Sequence, residues 1–362
     1  MSVAVAMPFD GTAVEVSCDS TMLEGFALEW DELLAASDSN VVFLTSGWLR
    51  AWQETLGQGI AVLFCQVRSG GQLIAAAAFQ ISQGVVQFAG TGPSDYSDFI
   101  VRASLDDGLH ANVTQRLLDL VRRKTPRFRC FKLGRIQPDS KTLRAIRWPG
   151  SEFYSTEIGH VTAPYMEMSL VDDRLRKKSL RRHERGLERR GALACETFVA
   201  SEDVVPQLDE FFFDQHVRRW RTAGIESLFN SETSREFYRR VSRRLGPTGQ
   251  VRFTTIRLAG EPVAAHFGFL QAKRFIWYKP SFEPMLAKLS PGEVLIKRLL
   301  EQAKVEGATE FDFTVGDEPF KFRFASGARR VVYLHVTDSR LGALARRGRS
   351  LAGTTVRKLL SR

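Results

Sequence analysis

The residues best suited to chemistry stand in short clusters. Ser290-Pro291-Gly292-Glu293 reads as a helix start, with Ser at the N-cap, Pro at the first helical position and Glu at the third, a capping box. A helix N-terminus also presents free N–H groups and the positive end of the dipole, so the same residues can hold a pyrophosphate, with Gly292 letting a phosphate reach the backbone. Glu293 must then point away, and Lys288 and Lys279 would offset its charge. In Phe311-Asp312-Phe313-Thr314-Val315-Gly316, alternation sets Asp312 opposite Phe311 and Phe313 on a strand. A strand Asp needs either a salt-bridge partner or a chemical role, as a carboxylate at a strand end facing a reaction site. Lys321, in Phe320-Lys321-Phe322-Arg323-Phe324, is either a surface charge or a group that holds a phosphate or a developing oxyanion.

His216 and Trp220 lie four apart with Arg219 between them, so His216 and Trp220 share a helix face. His216 is either structural or a base, since an unperturbed imidazole titrates near pH ~6.5. His266 reads as a packed strand residue. Asp95, Tyr96 and Asp98 follow the turn formers Gly90-Thr91-Gly92-Pro93, and either shape a loop or line a cleft between modules. Residues 174–190 carry nine Lys/Arg against two Glu, and residues 340–362 carry seven and no acid, with apolar residues interleaved. Each is a solvated charged face or a surface for phosphate-rich substrates or anionic membranes.

The elements that must position these groups follow from periodicity. Helical spacing marks 23–36, 46–56 and 109–124 in the first half, and 179–190, 203–220, 231–245 and 290–306 in the second. Strands are expected at 61–68, 72–82, 85–88 and 129–133, then at 193–198, 249–258, 262–271, 273–279, 309–313 and 331–337. Residues before about 21 show no clear period and read as a lead-in. The run from Val67 to Ala76 aligns with Ile256 to Ala265, hairpin turn included, and each hairpin is followed by a third strand, a helix and a further strand. The order implies two related modules joined near 159–169.

Composition bounds the answer. The chain has 362 residues, enough for about two domains. At 44% hydrophobic and 25% charged it is a folded globular chain, not a disordered one. The net charge of +10 makes anionic partners plausible, and the 340–362 tail supplies most of the excess, so no specific nucleic acid is expected. No apolar run reaches the ~20 residues of a membrane span, and the start lacks the pattern of a signal peptide, so a cytoplasmic protein is expected. Cys18, Cys65, Cys130 and Cys195 are isolated, which argues against a zinc knuckle and a disulfide framework, and the six histidines include no HExxH; no metal is expected.

Taken in order, several of these features resemble the GNAT acyltransferase superfamily, in the branch of the CelD-type proteins and the FemAB aminoacyl transferases. They are Gly47-Trp48-Leu49-x-x-Trp52, Ser94-Asp95-Tyr96, Ser179-Leu180-Arg181-Arg182, His216-x-x-Arg219-Trp220, Pro262-Val263-Ala264-Ala265, Ser290-Pro291-Gly292 and Phe311-Asp312-Phe313 with Phe320-Lys321. The resemblance implies an α/β (α+β) chain of two tandem GNAT-like modules, each a mixed, mainly antiparallel sheet flanked by helices. The expected layout is a lead-in at 1–20, modules at 21–165 and 166–338, and a basic tail at 339–362. It implies transfer of an acyl group, usually acetyl, from acyl-CoA to a small or sugar-derived amine, as in cell-envelope polysaccharide metabolism. The pyrophosphate would sit between Tyr278 and Gly292, held by Lys288, Ser290, Gly292 and Lys279. Strand 273–279 would polarise the carbonyl through backbone N–H groups. Asp312 or His216 would be the base, and Tyr278 the donor to the thiolate. Lys321, Arg181, Arg219, Trp220, Asp95, Tyr96 and Asp98 would serve the acceptor. Lys288-Leu289-Ser290-Pro291-Gly292 departs from the family's Arg/Gln-x-x-Gly-x-Gly/Ala loop by holding one displaced glycine. Aminoacyl-tRNA, the donor of the FemAB branch, is the alternative. A non-catalytic protein docking on membranes through its tail is the other.

Overall fold

Two hairpins that align in sequence fold alike down to their irregularities. Strands β3 (Ala61–Ser69) and β4 (Gln72–Ser82) pair antiparallel with a register shift between Val67 and Arg68. Strands β10 (Val251–Leu258) and β11 (Glu261–Gln271) shift between Ile256 and Arg257, the aligned positions. Both turns take left-handed pairs, Gly70-Gly71 at φ 55° and 78° and Ala259-Gly260 at φ 51° and 90°. That twist matches the strands. Arg68 Nη1 closes the first turn on Gly71 O at 2.9 Å, and Arg257 Nη1 closes the second on Gly260 O at 3.1 Å.

The computed structural model describes residues 8–9, 12–19 and 23–339. They fall into two units that interleave along the chain. The first holds described residues up to 50, 57–162 and 330–339; the second holds Ala51–Leu56 and Ala163–Arg329. In the first, the strand order is β1 (Pro8–Phe9), β2 (Thr12–Asp19), β3, β4, β5 (Val85–Phe88), β7 (Cys130–Ile136) and β14 (Gly327–Thr337, from Arg330 onward). The short β6 (Ile100–Val101) pairs with β4. Strands β5 and β7 run parallel, whereas β4 with β5 and β7 with β14 are antiparallel. Helices α1 (Leu23–Ala35), α2 (Ser46–Gln53, through Arg50), α3 (Asp107–Lys124) and α4 (Lys141–Ile146) complete it. Its core sets Phe79, Phe88, Phe99 and Phe131 against Leu117, Leu118 and Val121 of α3.

In the second unit the order is β8 (Tyr154–Glu167, from Ala163 onward), β13 (Glu310–Asp312), β12 (Arg274–Phe282), β11, β10 and β9 (Leu193–Phe198). Strands β12 and β13 run parallel, and their neighbours pair antiparallel. One face carries α10 (Pro291–Val305), α5 (Val171–Leu175) and α6 (Lys178–Glu188), where Leu295 and Leu299 of α10 and Leu180 and Leu187 of α6 join Phe275, Trp277 and Phe311. The other carries α7 (Ser201–Gln207), α8 (Phe213–Thr222) and α9 (Glu232–Leu245). There Phe212 meets Phe253 at 5.3 Å and Tyr238 meets Phe267 at 5.4 Å between ring centroids. The last helix is the short α11 (Pro319–Phe322). Helices thus cover both faces of a mixed, largely antiparallel sheet, the architecture expected.

Four details depart from the sequence reading. Thr12–Asp19, placed in a lead-in, is a strand paired to β3. The final strand, 331–337, belongs with the first unit rather than the second. The expected helix 203–220 is broken by a π turn at Leu208–Phe212, following Pro206, which lacks the N–H that a regular ladder needs. Cys18 and Cys65, distant in sequence, face each other across β2 and β3 with Cα atoms 4.2 Å apart and form a disulfide. The 340–362 tail lies outside the described residues.

Candidate active site

Strands β12 and β13 run together only for Arg274–Ile276 against Glu310–Asp312, and then part. On the β13 side, Phe313 N–H turns to Pro164 O at 3.0 Å, and Thr314 takes a left-handed φ of 56° with its N–H on Asp312 Oδ1 at 2.7 Å. On the β12 side there is a bulge, because Ile276 to Lys279 faces only Phe269 to Phe267 of β11. Gly268 makes this possible: a Cβ there would lie 2.0 Å from His266 Cε1 and 2.4 Å from Ile276 O. The His266 ring folds over the glycine, and its Nε2 accepts the Tyr278 N–H at 3.0 Å. Burial lowers the His266 pKa to about 3, so the ring is neutral and its proton sits on Nδ1.

Where the strands part, a cavity of about 230 Å³ opens. Its walls are Trp277, Pro280, Ser281 and Phe282 of β12, Phe320 of α11, Arg219 of α8 and the first turn of α10 from Ser290 to Glu293. Arg219 is held in place, its Nη1 donating to Pro280 O at 3.1 Å and its guanidinium 4.6 Å over the Phe282 ring. Burial pushes its pKa down.

The helix start is not the capping box its sequence implies. Ser290 sits at φ 55°, ψ 51°, and its side chain makes no cap hydrogen bond, because the left-handed backbone does not present the hydroxyl to the first turn. Glu293 is turned instead to Arg323, through Nη1 and through Nη2 at 3.3 Å, and to His183 Nδ1 at 3.0 Å. Pro291 has no N–H and the Glu293 N–H bonds Ser290 O at 3.0 Å, which leaves Gly292 to offer an amide at the helix end. A carboxylate turned onto Arg323 and His183 opposes an anion there far less than a free one would.

Of the expected site residues, the structure brings Ser290, Gly292 and Arg219 together on the cavity, whereas Asp312 and Lys321 are not among its walls. Asp312 is fully buried at the end of β13. Lys321 is buried on the next turn, its Nζ donating to Val315 O at 2.9 Å and pairing with Glu318 at 3.0 Å. Gly316, at φ 133°, keeps that turn tight: a Cβ would lie 2.7 Å from Lys321 Nζ. Lys321 is therefore no surface charge. Lys288 is exposed on the turn Pro284–Leu289 leading into Ser290.

Other expected groups are used elsewhere. His216 is buried, 2.8 Å from Ser227 Oγ, and stacked on Trp220 at 5.4 Å. Burial, with Lys279 and Arg219 nearby, lowers its pKa to about 3, and the ring is not among the cavity walls. The Tyr278 hydroxyl accepts from Tyr238 at 3.1 Å on the α9 side, away from the cavity walls. Lys279 rests its ammonium 4.0 Å over the Tyr278 ring rather than at the helix start. The Tyr278 amide, one of those expected to polarise a carbonyl, is taken by His266. Arg181 is exposed on α6, beside a separate polar groove with Asp172, Glu184 and Lys297. Asp95, Tyr96 and Asp98 are buried within the first unit. Arg135 pairs with Asp95 at 3.3 Å. Ser39, Ser140, Thr142 and the Phe99 N–H hold the Asp98 carboxyl, whose pKa burial still raises. These three are structural in their own unit.

Sequence reasoning missed Trp277, Phe282 and Phe320 as walls, Gly268 as the bulge, and Arg323 and His183 as partners of Glu293. An isolated glycine inside a strand, at Gly268, was the one available signal. Among the described residues no group of His, Cys, Asp and Glu could hold a metal ion, and no helix is long and apolar enough to cross a membrane.

Residues 174–322 match the acetyltransferase (GNAT) domain family. The matched stretch contains every wall of the cavity. Among solved structures the chain is similar to FemX, with a TM-score of 0.61 at 11% identity over 91% of this chain and 99% of that one. It is also similar to the C-terminal domain assigned to a lysylphosphatidylglycerol synthetase of Agrobacterium fabrum (TM-score 0.58, 13% identity, 90% and 95% covered). A protein of unknown function from Bacteroides thetaiotaomicron gives 0.58 at 12% identity, with 89% and 99% covered. At these identities the likeness is one of fold. No curated protein matches the chain.

Proposed function

We propose that the protein is an acyltransferase whose GNAT domain takes an acyl group, acetyl in the first instance, from acyl-CoA and passes it to an amine. The observation that carries this is the uncapped start of α10 at the cavity where β12 and β13 part. The residues present fit such a donor. The Gly292 amide and the helix dipole suit a pyrophosphate, with Lys288 on the approach, and the apolar walls Trp277, Phe282 and Phe320 suit an uncharged arm. The donor supplies an activated thioester. Asp312 is the carboxylate to accept the proton of the attacking amine, and Lys321 and Arg219 are the cations for an anionic acceptor. A sugar-derived amine of cell-envelope polysaccharide is the acceptor class that the CelD resemblance favours. A cytoplasmic setting goes with acyl-CoA. The Cys18–Cys65 bond is the observation against it, since cytosolic thiols are kept reduced.

The second reading, an aminoacyl-tRNA-dependent transferase of the FemAB kind, is favoured by the fold likeness to FemX and by the single, displaced glycine at the start of α10. Thermal unfolding separates the two. A ligand at 100 times its Kd adds about 2.7 kcal/mol of stability. A saturable rise in Tm with acetyl-CoA supports the first reading. No rise with any acyl-CoA, alongside a rise with aminoacyl-tRNA, supports the second.

A further inference from the structure

The GNAT domain ties most of its arginines to carboxylates, but not those of α6. On α9, Arg235 reaches Asp214, Arg239 reaches Asp209 and Glu232, and Arg240 and Arg244 reach Glu54. On and just after α6, Lys178, Arg181, Arg182, Arg185, Arg189 and Arg190 are exposed and form no ion pair among the described residues. The apolar face of α6, Leu180 and Leu187, is buried in the core. Its acid Glu184 is turned inward to Lys297 at 3.0 Å and to Arg298. Glu188 alone stays outside among the cations.

This face lies beside the mouth of the cavity. His183 of α6 meets Glu293 of α10, and the Gly186 position lies against Leu289, the residue before Ser290. The turn Pro284–Leu289 packs Leu286 and Leu289 inward, so Met285 and Lys288, three apart, share its outer side. Met285 is 90% exposed, and on α11 Phe322 is 46% exposed while Phe320 lines the cavity. Large apolar side chains held in water have a cost that a partner surface removes.

We propose that α6, Met285 and Phe322 form a docking surface for an anionic lipid bilayer, which sets the cavity mouth at the headgroup layer. Unpaired arginines supply attraction to phosphate, and Met285 and Phe322 supply the shallow apolar contact that a nucleic-acid backbone does not use. The proposal concerns binding alone and stands apart from the choice of donor.

The test is sedimentation of the full chain with vesicles of equal parts phosphatidylglycerol and phosphatidylcholine, against phosphatidylcholine alone. The wild type should bind the anionic vesicles only, and less as salt rises. At about fivefold per removed cation, the triple variant Arg181→Gln, Arg182→Gln, Arg185→Gln should bind about 100-fold more weakly. Met285→Asp, with every cation kept, should bind about tenfold more weakly. Equal binding by wild type and both variants would overturn the proposal and assign the attraction to another segment, 340–362 included. Binding to tRNA with a steep salt dependence, lost in the triple variant and unchanged in Met285→Asp, would overturn it in favour of an RNA surface. Absence of vesicle binding by the wild type would overturn it outright.

Discussion

The two units build the same third strand, helix and parallel partner, but each finishes the passage from strand to helix in its own way. In the second unit β12 continues past its pairing with β13, so that Ser281 and Phe282 reach Ala265 and Ala264 of β11. In the first unit β5 stops at Phe88, and the aligned positions, Ala76 and Ala75, are reached by Ile100 and Val101 of β6. Between β5 and β6, Ser94, Asp95, Tyr96 and Asp98 are buried. Trp48 Nε1 bonds Ser94 Oγ at 2.9 Å, and Arg135 holds Asp95. The helix starts differ as well. Asp106 caps α3, its carboxylate accepting the Leu109 N–H at 2.8 Å, while Ser290 leaves α10 without a side-chain cap. A filled junction and a capped helix stabilise a fold; a cavity and an uncapped helix do so less well and are expected where a ligand completes them.

The contrast between the units breaks most easily at the chemistry. Asp312→Asn should cut turnover with acetyl-CoA and an amine by about 10³-fold while leaving the thermal shift with acetyl-CoA in place. Full turnover would remove Asp312 as the base. Gly292→Asp sharpens the contrast of helix starts. A Cβ at Gly292 meets Phe282 at an ordinary 3.4 Å, and an acid in the first turn suits a helix, so the fold should stand. Donor affinity, read by calorimetry, should fall about 100-fold, as an acid at the phosphate position replaces attraction by repulsion. Unchanged affinity would move the phosphate site off α10.

Acid should act harder on the second unit. His216 and His266 have their pKa lowered to about 3 by burial, against about 4 for His110 in the first unit. Below about pH 6.5 the unfolded chain takes up protons that the folded rings refuse. Stability held above about pH 6.5 is therefore lost as the pH falls toward about 3, by about 1 kcal/mol per pH unit for each ring. Denaturant titrations from about pH 7 to about pH 4, with His216→Asn, should show a shallower loss in the variant; an identical slope would mean that His216 is protonated in the fold. The smallest effect is Asp106→Ala, which should cost about 1 kcal/mol in unfolding and leave donor binding unchanged.

How much was legible in the sequence depends on how local each feature is. The paired hairpins were legible because Gly70-Gly71 and Ala259-Gly260 mark their turns and the flanking strands alternate. Pro291-Gly292 announced the start of α10, but not the left-handed Ser290, which depends on the turn before it. The fates of the ionisable groups were not legible, because partners distant in sequence decide them. Arg174 to Arg190 and the arginines of α9 look alike as strings; Asp209, Asp214 and Glu54 neutralise the second set, and nothing described neutralises six of the first. His216 has the residue type of a base, but Ser227, Trp220 and burial together make it a structural ring.

Hydrogen–deuterium exchange of the full chain, with and without saturating acetyl-CoA, tests the contrast between the two units most directly. The account predicts slowed exchange at Gly292, Glu293 and the β12 residues after Ile276, with α3 and β5 unchanged. Protection at the start of α3, or stabilisation by acetyl-CoA without protection at β12 and α10, would contradict it.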